Sequence, residues 1–238
     1  MFKIIRRTSQ ILAFFIVYGL CAYGYMESKG FAFVDGVPTL VRSAQASETE
    51  FAHPVKGNII IDKKWIRSSG NDNAPITLYM YSSMICSHCN DFHRYTLPKI
   101  KRDFVSKGLI KLNIVQFPLD GKSFEAAQLA YCLPPEKYED FITKLYKNRD
   151  WMFASQDETL DKYALDFGLT TEEIKQCRNN KRLKSDILMT KDNGIRTLGI
   201  RGTPAFVIET EKGKELIEGA KKYDDLKEYF NNVLKKRK

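Results

Sequence analysis

Apolar residues recur along this chain with two different periods, and this pattern predicts a mixed α/β fold. Four short apolar runs have the length and composition of strands: residues 57–61, 76–82, 109–117 and 204–208. Residues 87–105 instead carry large apolar side chains at helical spacing, and Pro98 predicts a kink or a break in that helix. The first half of the chain therefore contains a strand, a helix and a second strand in succession.

The stretch from about residue 121 to residue 198 reads as consecutive helices with short connections. Pro134-Pro135 is expected to end the first of them, and Gly168 is placed to terminate the third. Ser123 is the candidate cap of the first helix, and Thr170-x-x-Glu173 has the capping-box form expected at the start of another.

Strand character returns after this helical block. The strand at 204–208 is followed by a predicted hairpin turn at 211–214 and by a strongly amphipathic helix near the C-terminus. The order predicts one sheet domain interrupted by a helical insertion. Its two parts are expected at 57–120 and 181–238, with the insertion at 121–180.

The first residues have the organisation of an export signal. A basic n-region consists of Lys3, Arg6 and Arg7, and residues 8–26 carry no charge. Their apolar heart is shorter than the roughly 20 residues of a membrane span, which favours a signal peptide over the alternative of an uncleaved anchor. Residues 1–46 are interpreted as signal peptide and flexible lead-in, with cleavage near residue 24 or after residue 46.

Charge and composition exclude some classes of partner. The net charge is +9, and it falls to +6 if residues 1–46 are removed, because they hold five basic and two acidic groups. Lys and Arg are scattered and form no stripe with aromatic residues, so the sequence argues against a nucleic-acid partner. The hydrophobic fraction of 43% is ordinary for a globular protein.

The chain has five cysteines, and export changes how they are interpreted. Cys21 falls in the targeting segment, and Cys86 and Cys89 are most simply a pair of their own. In an oxidising compartment, the remaining Cys132 and Cys177 become candidates for a structural disulfide. Two separate buried thiols at these positions are the alternative.

The motif Cys86-Ser87-His88-Cys89 lies directly behind the apolar run at 76–82, where the helix of residues 87–105 begins. Cys86 is therefore expected at the positive end of the helix dipole, which favours the thiolate, the attacking species. Ser87 and His88 share that first turn, and His88 can donate a hydrogen bond or supply charge to the sulfur. Cys89 is expected to be the buried resolving thiol. The layout suits reversible dithiol–disulfide exchange, which needs no cofactor.

A metal site is the competing interpretation of these cysteines. Cys86, Cys89 and His93 are spaced to share one face of the predicted helix, with His88 nearby. Structural zinc needs four ligands, and no second Cys/His pair is close in sequence. We therefore expect no metal and interpret His93 as an ordinary helix residue. A redox-inactive exported binding module is a further alternative, for which a paired dithiol would be superfluous.

Three segments together resemble the DsbA family of exported thiol–disulfide oxidoreductases. They are Asn73-Ala-Pro-Ile-Thr-Leu-Tyr-Met-Tyr81, Cys86-Ser-His-Cys89 and Gly202-Thr-Pro-Ala-Phe-Val-Ile208. The resemblance covers most of residues 60–238 and implies an α/β architecture, the thioredoxin fold with an inserted all-helical domain. It also implies that Pro204 is the family's cis-proline facing the cysteines, and that Thr203 offers its backbone to an extended substrate strand. Ser87 departs from the family's commonest Cys-Pro-His-Cys, which puts the oxidising strength in question.

The resemblance also implies partners and a compartment. It favours an oxidase that donates disulfides to reduced exported polypeptides in the periplasm, and that a membrane quinone-linked protein of the DsbB type reoxidises. Isomerases of this superfamily typically carry a dimerisation domain, and cleavage after residue 46 would leave only the 28 residues at 47–74 before the first catalytic-domain strand, too few for one. A monomeric oxidase is therefore expected, with an isomerase or reductase as the alternative.

Overall fold

The structure is a computed structural model that describes residues 31–34, 37–40, 51–153 and 158–236. The chain forms two compact units, residues 1–51 and residues 52–238. Among the described residues, no helix is both long and apolar enough to cross a membrane. The predicted targeting run at 8–26 lies outside them and stays a prediction.

The first unit contains an antiparallel hairpin. β1 (Phe31–Val34) pairs with β2 (Val37–Leu40), with Phe31 opposite Leu40. The expectation of a flexible lead-in over residues 1–46 is wrong for these two strands. Aromatic and β-branched residues favour extended backbone, and the sequence between the strands is Asp-Gly, a dipeptide typical of two-residue hairpins.

A six-stranded mixed sheet forms the centre of the second unit. Its strands are β3 (His53–Val55), β4 (Ser68–Ser69), β5 (Ile76–Ser82), β6 (Ile110–Gln116), β7 (Ala205–Thr210) and β8 (Gly213–Glu218). Their spatial order is β3-β8-β7-β5-β6-β4. The β5–β6 pairing is parallel and the other pairings in this sheet are antiparallel. A parallel pair needs a crossover connection, and the helical segment of residues 87–105 supplies it.

Helices fill the rest of this unit. They are α1 (Ser87–Asp91), α2 (Leu97–Ile100), α3 (Gly121–Cys132), α4 (Pro135–Lys147), α5 (Glu158–Asp166), α6 (Thr171–Asn179), α7 (Lys181–Arg196) and α8 (Tyr223–Lys235). A π-helical turn, Phe92–Thr96, joins α1 to α2, and a second, Lys101–Val105, follows. Pro98 lies in the first turn of α2, so the predicted disturbance is a π turn before the proline and the helix continues.

Both faces of the sheet are buried. Along β7, Phe206 points to one face and meets Phe92 of the crossover helix, with ring centroids 4.7 Å apart. Ala205 and Val207 point to the other face and share a core cluster with Tyr81. Central strands buried on both sides explain why β5 and β7 are almost continuously apolar in sequence.

Two local expectations are wrong. Residues 57–61 form no strand; instead Asn193 of α7 bonds this segment, accepting from Ile60 N at 3.0 Å and donating to Asn58 O at 2.9 Å. Ser123 is not the N-cap of α3, because Asp120 holds that position and accepts from Ser123 N at 2.8 Å; Ser123 contributes to the cap as the N3 residue of a capping box, with its hydroxyl oxygen accepting from Asp120 N at 3.1 Å.

Other local expectations are confirmed. Thr170 and Glu173 form the predicted capping box at the start of α6. Gly168 follows α5 with φ at +98°, a conformation in which glycine costs least. Helices α3 to α6 lie within the predicted insertion at 121–180, and the boundaries of that insertion stay predictions.

Candidate active site

Cys86 is the N-cap residue of α1. Its backbone is extended, and its sulfur accepts a hydrogen bond from the N–H of Cys89 at 3.4 Å, the role that an Asp or Ser oxygen plays at other helices. The short turn after β5 is closed by Cys86 N donating to Ser83 O at 3.1 Å. The Cys86 sulfur therefore lies where the unpaired N–H groups of a helix start are concentrated.

The loop before β7 brings Thr203 and Pro204 to the same place. β7 pairs antiparallel with β5, with Ala205 opposite Tyr81, so the start of β7 adjoins the end of β5. The Thr203–Pro204 peptide bond is cis, as the resemblance implied. The carbonyl oxygen of Thr203 lies 3.3 Å from the Cys86 sulfur and can accept a hydrogen bond from it while Cys86 is protonated; the carbonyl of Pro204 accepts from Gly219 N at 2.8 Å.

The surroundings of Cys86 favour its thiolate and lower its pKa to about 5. The largest cause is a hydrogen bond from the Cys89 thiol, followed by the Thr203 side chain and the backbone N–H groups of Cys89 and His88. Partial burial acts in the opposite direction but does not prevail. Cys86 is thus ionised at neutral pH and partly exposed, the two properties that an attacking thiol needs.

Cys89 has the opposite character. Its side chain is buried, and burial together with the hydrogen bond to Cys86 raises its pKa far above that of a free thiol. Neither cysteine is disulfide-bonded in this structure. The site therefore combines one stable thiolate with one stable thiol, one turn apart on the same helix.

Ser87 and His88 occupy the first turn of α1, as expected, and both are exposed. The backbone N–H of His88 helps to lower the pKa of Cys86. A role for the exposed His88 imidazole or for the Ser87 hydroxyl stays a prediction.

Three residues of the site carried no signal in the sequence. Arg149, in the helical block, donates from Nη2 to the carbonyl oxygen of Ile85 at 2.7 Å, and Ile85 is the residue directly before Cys86. Ser82 and Tyr146 lie below Cys89, with their hydroxyl oxygens 2.6 Å apart. Arg149 and Tyr146 are each 64 residues in sequence from the residue they bond, Ile85 and Ser82 respectively, so only the tertiary fold brings them to the site.

The other two cysteines are bonded to each other. Cys132 and Cys177 form a disulfide with S–S 2.11 Å and Cα–Cα 6.1 Å, the pairing that the sequence left open. It joins the last residue of α3 to the last turn of α6.

His93 contacts two residues of α4. Its Nε2 is 2.9 Å from the Thr143 hydroxyl oxygen, and its ring packs against Tyr146 with centroids 4.9 Å apart. Burial lowers the pKa of His93 to about 4, so the ring is neutral at physiological pH. In the described part of the chain, no group of three or more His, Cys, Asp or Glu side chains is placed to hold a metal ion. Trp65 and Trp151 are buried core residues.

Comparisons with known proteins agree with this geometry. A family model described as Thioredoxin matches residues 64–232. The "Disulfide bond formation protein D" of Bacillus subtilis is 26% identical over 174 residues, which cover 70% of this chain and 76% of that protein. The crystal structure of α-DsbA1 from Wolbachia pipientis is similar with a TM-score of 0.66 and 28% identity, covering 75% of this chain and 94% of that one.

A further solved structure, oxidised BdbD from Bacillus subtilis, has a TM-score of 0.62 at 24% identity and covers 76% of this chain and 98% of its own; it bears on the fold alone. Together these likenesses confirm the expected fold class, a thioredoxin fold with an inserted helical domain.

Proposed function

This chain belongs to the DsbA family of thioredoxin-fold thiol–disulfide oxidoreductases, and we propose that it acts as an oxidase that introduces disulfides into exported proteins through Cys86 and Cys89. The observation that supports this proposal most is the opposed acidity of the two thiols. The pKa of Cys86 is lowered to about 5, whereas burial holds Cys89 in its protonated form.

Each half of the reaction uses a different sulfur. A substrate thiolate attacks Cys86 Sγ in the Cys86–Cys89 disulfide, forming a substrate–Cys86 bond while the Cys86–Cys89 bond breaks and its electron pair leaves on Cys89, which takes up a proton. A second substrate thiolate then attacks the substrate sulfur of this mixed disulfide. The substrate disulfide forms, and Cys86 departs as the thiolate that its surroundings stabilise. The substrate loses two electrons and the cysteine pair gains them.

The stability of the Cys86 thiolate sets the direction of exchange. Lowering the pKa of a thiol from 9.0 to about 5 stabilises the reduced form at pH 7 only by the part of the shift that lies below pH 7. Allowing for solvent screening of a partly exposed sulfur, this amounts to about 1–3 kcal/mol. At roughly 30 mV per 1.4 kcal/mol, the pair becomes about 20–60 mV more oxidising.

The cellular setting belongs to the same proposal. We propose a monomeric periplasmic enzyme whose substrates are reduced exported polypeptides and whose reoxidant is a membrane quinone-linked protein of the DsbB type. The basic and apolar N-terminal sequence supports export, and a disulfide such as Cys132–Cys177 is typical of proteins in an oxidising compartment.

The proposal is tested with a reduced, unfolded substrate protein that has a known native disulfide. Stoichiometric oxidised enzyme is expected to remove two substrate thiols per turnover, and Cys86→Ser is expected to remove none. A scrambled form of the same substrate serves as the second arm. If the enzyme rearranges the scrambled disulfides but leaves the reduced substrate unoxidised, the oxidase proposal is wrong and an isomerase takes its place.

A further inference from the structure

A buried cluster of hydroxyl groups lies beneath Cys89 and has no assigned role. The Ser82 hydroxyl acts on Cys89 and lowers the pKa of its thiol, against the larger effect of burial. Ser82 Oγ is also 2.6 Å from the hydroxyl oxygen of Tyr146, which lies on α4 of the helical block. The Tyr146 hydroxyl can in turn donate to Ser83 O at 3.2 Å. Ser82, Ser83 and Tyr146 are all almost completely buried.

Cys89 must ionise during the reaction although it is buried, and a cluster of hydroxyl groups can stabilise its ionised form. When a mixed disulfide on Cys86 is resolved, Cys89 must lose its proton and attack Cys86 Sγ. The Cys89–Cys86 bond forms, the bond from Cys86 to the partner sulfur breaks, and the electron pair leaves with the partner thiolate. The proton of Cys89 ends on that thiolate or in water. Burial makes the intermediate Cys89 thiolate costly, so a hydrogen-bond donor at its sulfur is valuable.

We propose that Ser82 is a further catalytic residue, whose hydroxyl donates a hydrogen bond to the Cys89 thiolate. Tyr146 is then a positioning residue that orients the Ser82 hydroxyl. The inference rests on the proposed dithiol exchange at Cys86 and Cys89. While Cys89 is a thiol, Tyr146 donates to Ser83 O and its oxygen accepts from Ser82. When Cys89 ionises, Ser82 turns its O–H to the sulfur, and Tyr146 turns its own O–H to Ser82 Oγ.

The surrounding contacts are compatible with this exchange. Ser83 O also accepts from Cys86 N at 3.1 Å, so it keeps a partner when Tyr146 turns away. The Tyr146 ring is held by the buried ring of His93, 4.9 Å away between centroids. Burial raises the pKa of Tyr146 well above its usual range, so its hydroxyl stays protonated and acts only as a hydrogen-bonding group.

Acid-quenched mass spectrometry can separate the two steps with oxidised glutathione as the probe. Reduced protein is mixed with the probe, and the Cys86–glutathione adduct and the Cys86–Cys89 disulfide are counted over time. Tyr146→Phe and Ser82→Ala are each expected to slow the second step about tenfold, the worth of a hydrogen bond to a charged group, and to leave the first step unchanged. Ser82→Thr keeps the hydroxyl and is expected to restore much of the second rate.

Tyr138→Phe is the matched control, because Tyr138 is another buried tyrosine of α4 whose hydroxyl donates to Ile114 O at 3.2 Å and accepts from Gln116 Nε2 at 2.9 Å. It is expected to change neither rate. Equal second rates in Tyr146→Phe and Tyr138→Phe, or a first rate that falls as much as the second in Tyr146→Phe, would overturn the proposal even if Ser82→Ala does not fold. If the wild type forms no adduct at Cys86, the proposed function itself has failed.

Discussion

The two cysteine pairs of this protein contain the same atoms but differ in their chemistry. Each pair has one buried and one partly exposed cysteine: Cys89 and Cys86 in one, Cys177 and Cys132 in the other. Burial alone therefore does not separate a reactive pair from a structural one. The positions of the cysteines on their helices separate the two pairs.

Cys86 caps the N-terminus of α1, whereas Cys132 is the last residue of α3 and Cys177 lies in the last turn of α6. Free N–H groups at a helix start stabilise a thiolate, and free carbonyls at a helix end repel one. Cys86 is thereby prepared to attack and to leave, while Cys132 and Cys177 gain nothing by ionising. We expect the second pair to stay bonded while the first cycles.

The largest expected effect is on activity. Cys86→Ser is expected to abolish dithiol oxidation, because no other described cysteine combines exposure with a lowered pKa. The double variant Cys132→Ala/Cys177→Ala is expected to keep most of the rate at a temperature where it is folded. Thiol counting on a reduced substrate checks both, and a double variant that is folded but inactive would break the comparison.

The next effect is on stability, for which the Cys132–Cys177 pair is expected to matter more than the Cys86–Cys89 pair. A disulfide that spans 45 residues stabilises by about 2–4 kcal/mol in the chain-entropy model. The double variant Cys132→Ala/Cys177→Ala is expected to lose that amount in denaturant unfolding, without a change in the pH midpoint of Cys86 alkylation. A shifted midpoint would mean that the two pairs are coupled.

A smaller effect concerns what lowers the pKa of Cys86. Since the Cys89 thiol is the largest contributor, Cys89→Ala is expected to raise the pKa of Cys86 more than Cys89→Ser, which retains a donor. The rate of alkylation against pH, measured on both variants, gives the two values. Coincident curves would show that the backbone N–H groups and Thr203 alone determine the acidity of Cys86.

Much of this site was visible in the sequence because its parts are local or are brought together by strand pairing. The dithiol motif follows an apolar strand at once, and that placement alone predicted the N-cap position of Cys86. The partner loop at Thr203 and Pro204 is far away in sequence, and only the family resemblance connected it with the cysteines. Antiparallel pairing of β5 with β7 is the physical reason that they meet.

The parts that sequence reasoning missed depend on side-chain contacts between distant segments. Tyr146 reaches the site from α4 and Arg149 from the connection that follows α4, and nothing in the sequence sets either residue apart from its neighbours. The segment at 57–61 has the composition of a strand, but Asn193 supplies its hydrogen bonds from a helix. The pairing of β1 with β2 depends on no distant contact. It was missed although the Asp-Gly signal for a hairpin was present in the sequence.

The central claim is that a stable Cys86 thiolate makes this pair oxidising, and the midpoint potential of Cys86–Cys89 against glutathione between pH 4 and 8 tests it most directly. Because the folded pKa is depressed, the contribution of Cys86 to the reduced form is complete above pH 9, shrinks as the pH falls, and is gone below about pH 5. The account predicts a slope of about 30 mV per pH unit above pH 5, where one proton accompanies two electrons, and about 60 mV below it. A single slope of about 60 mV across the whole range would show that Cys86 is protonated in the reduced protein and would contradict the account.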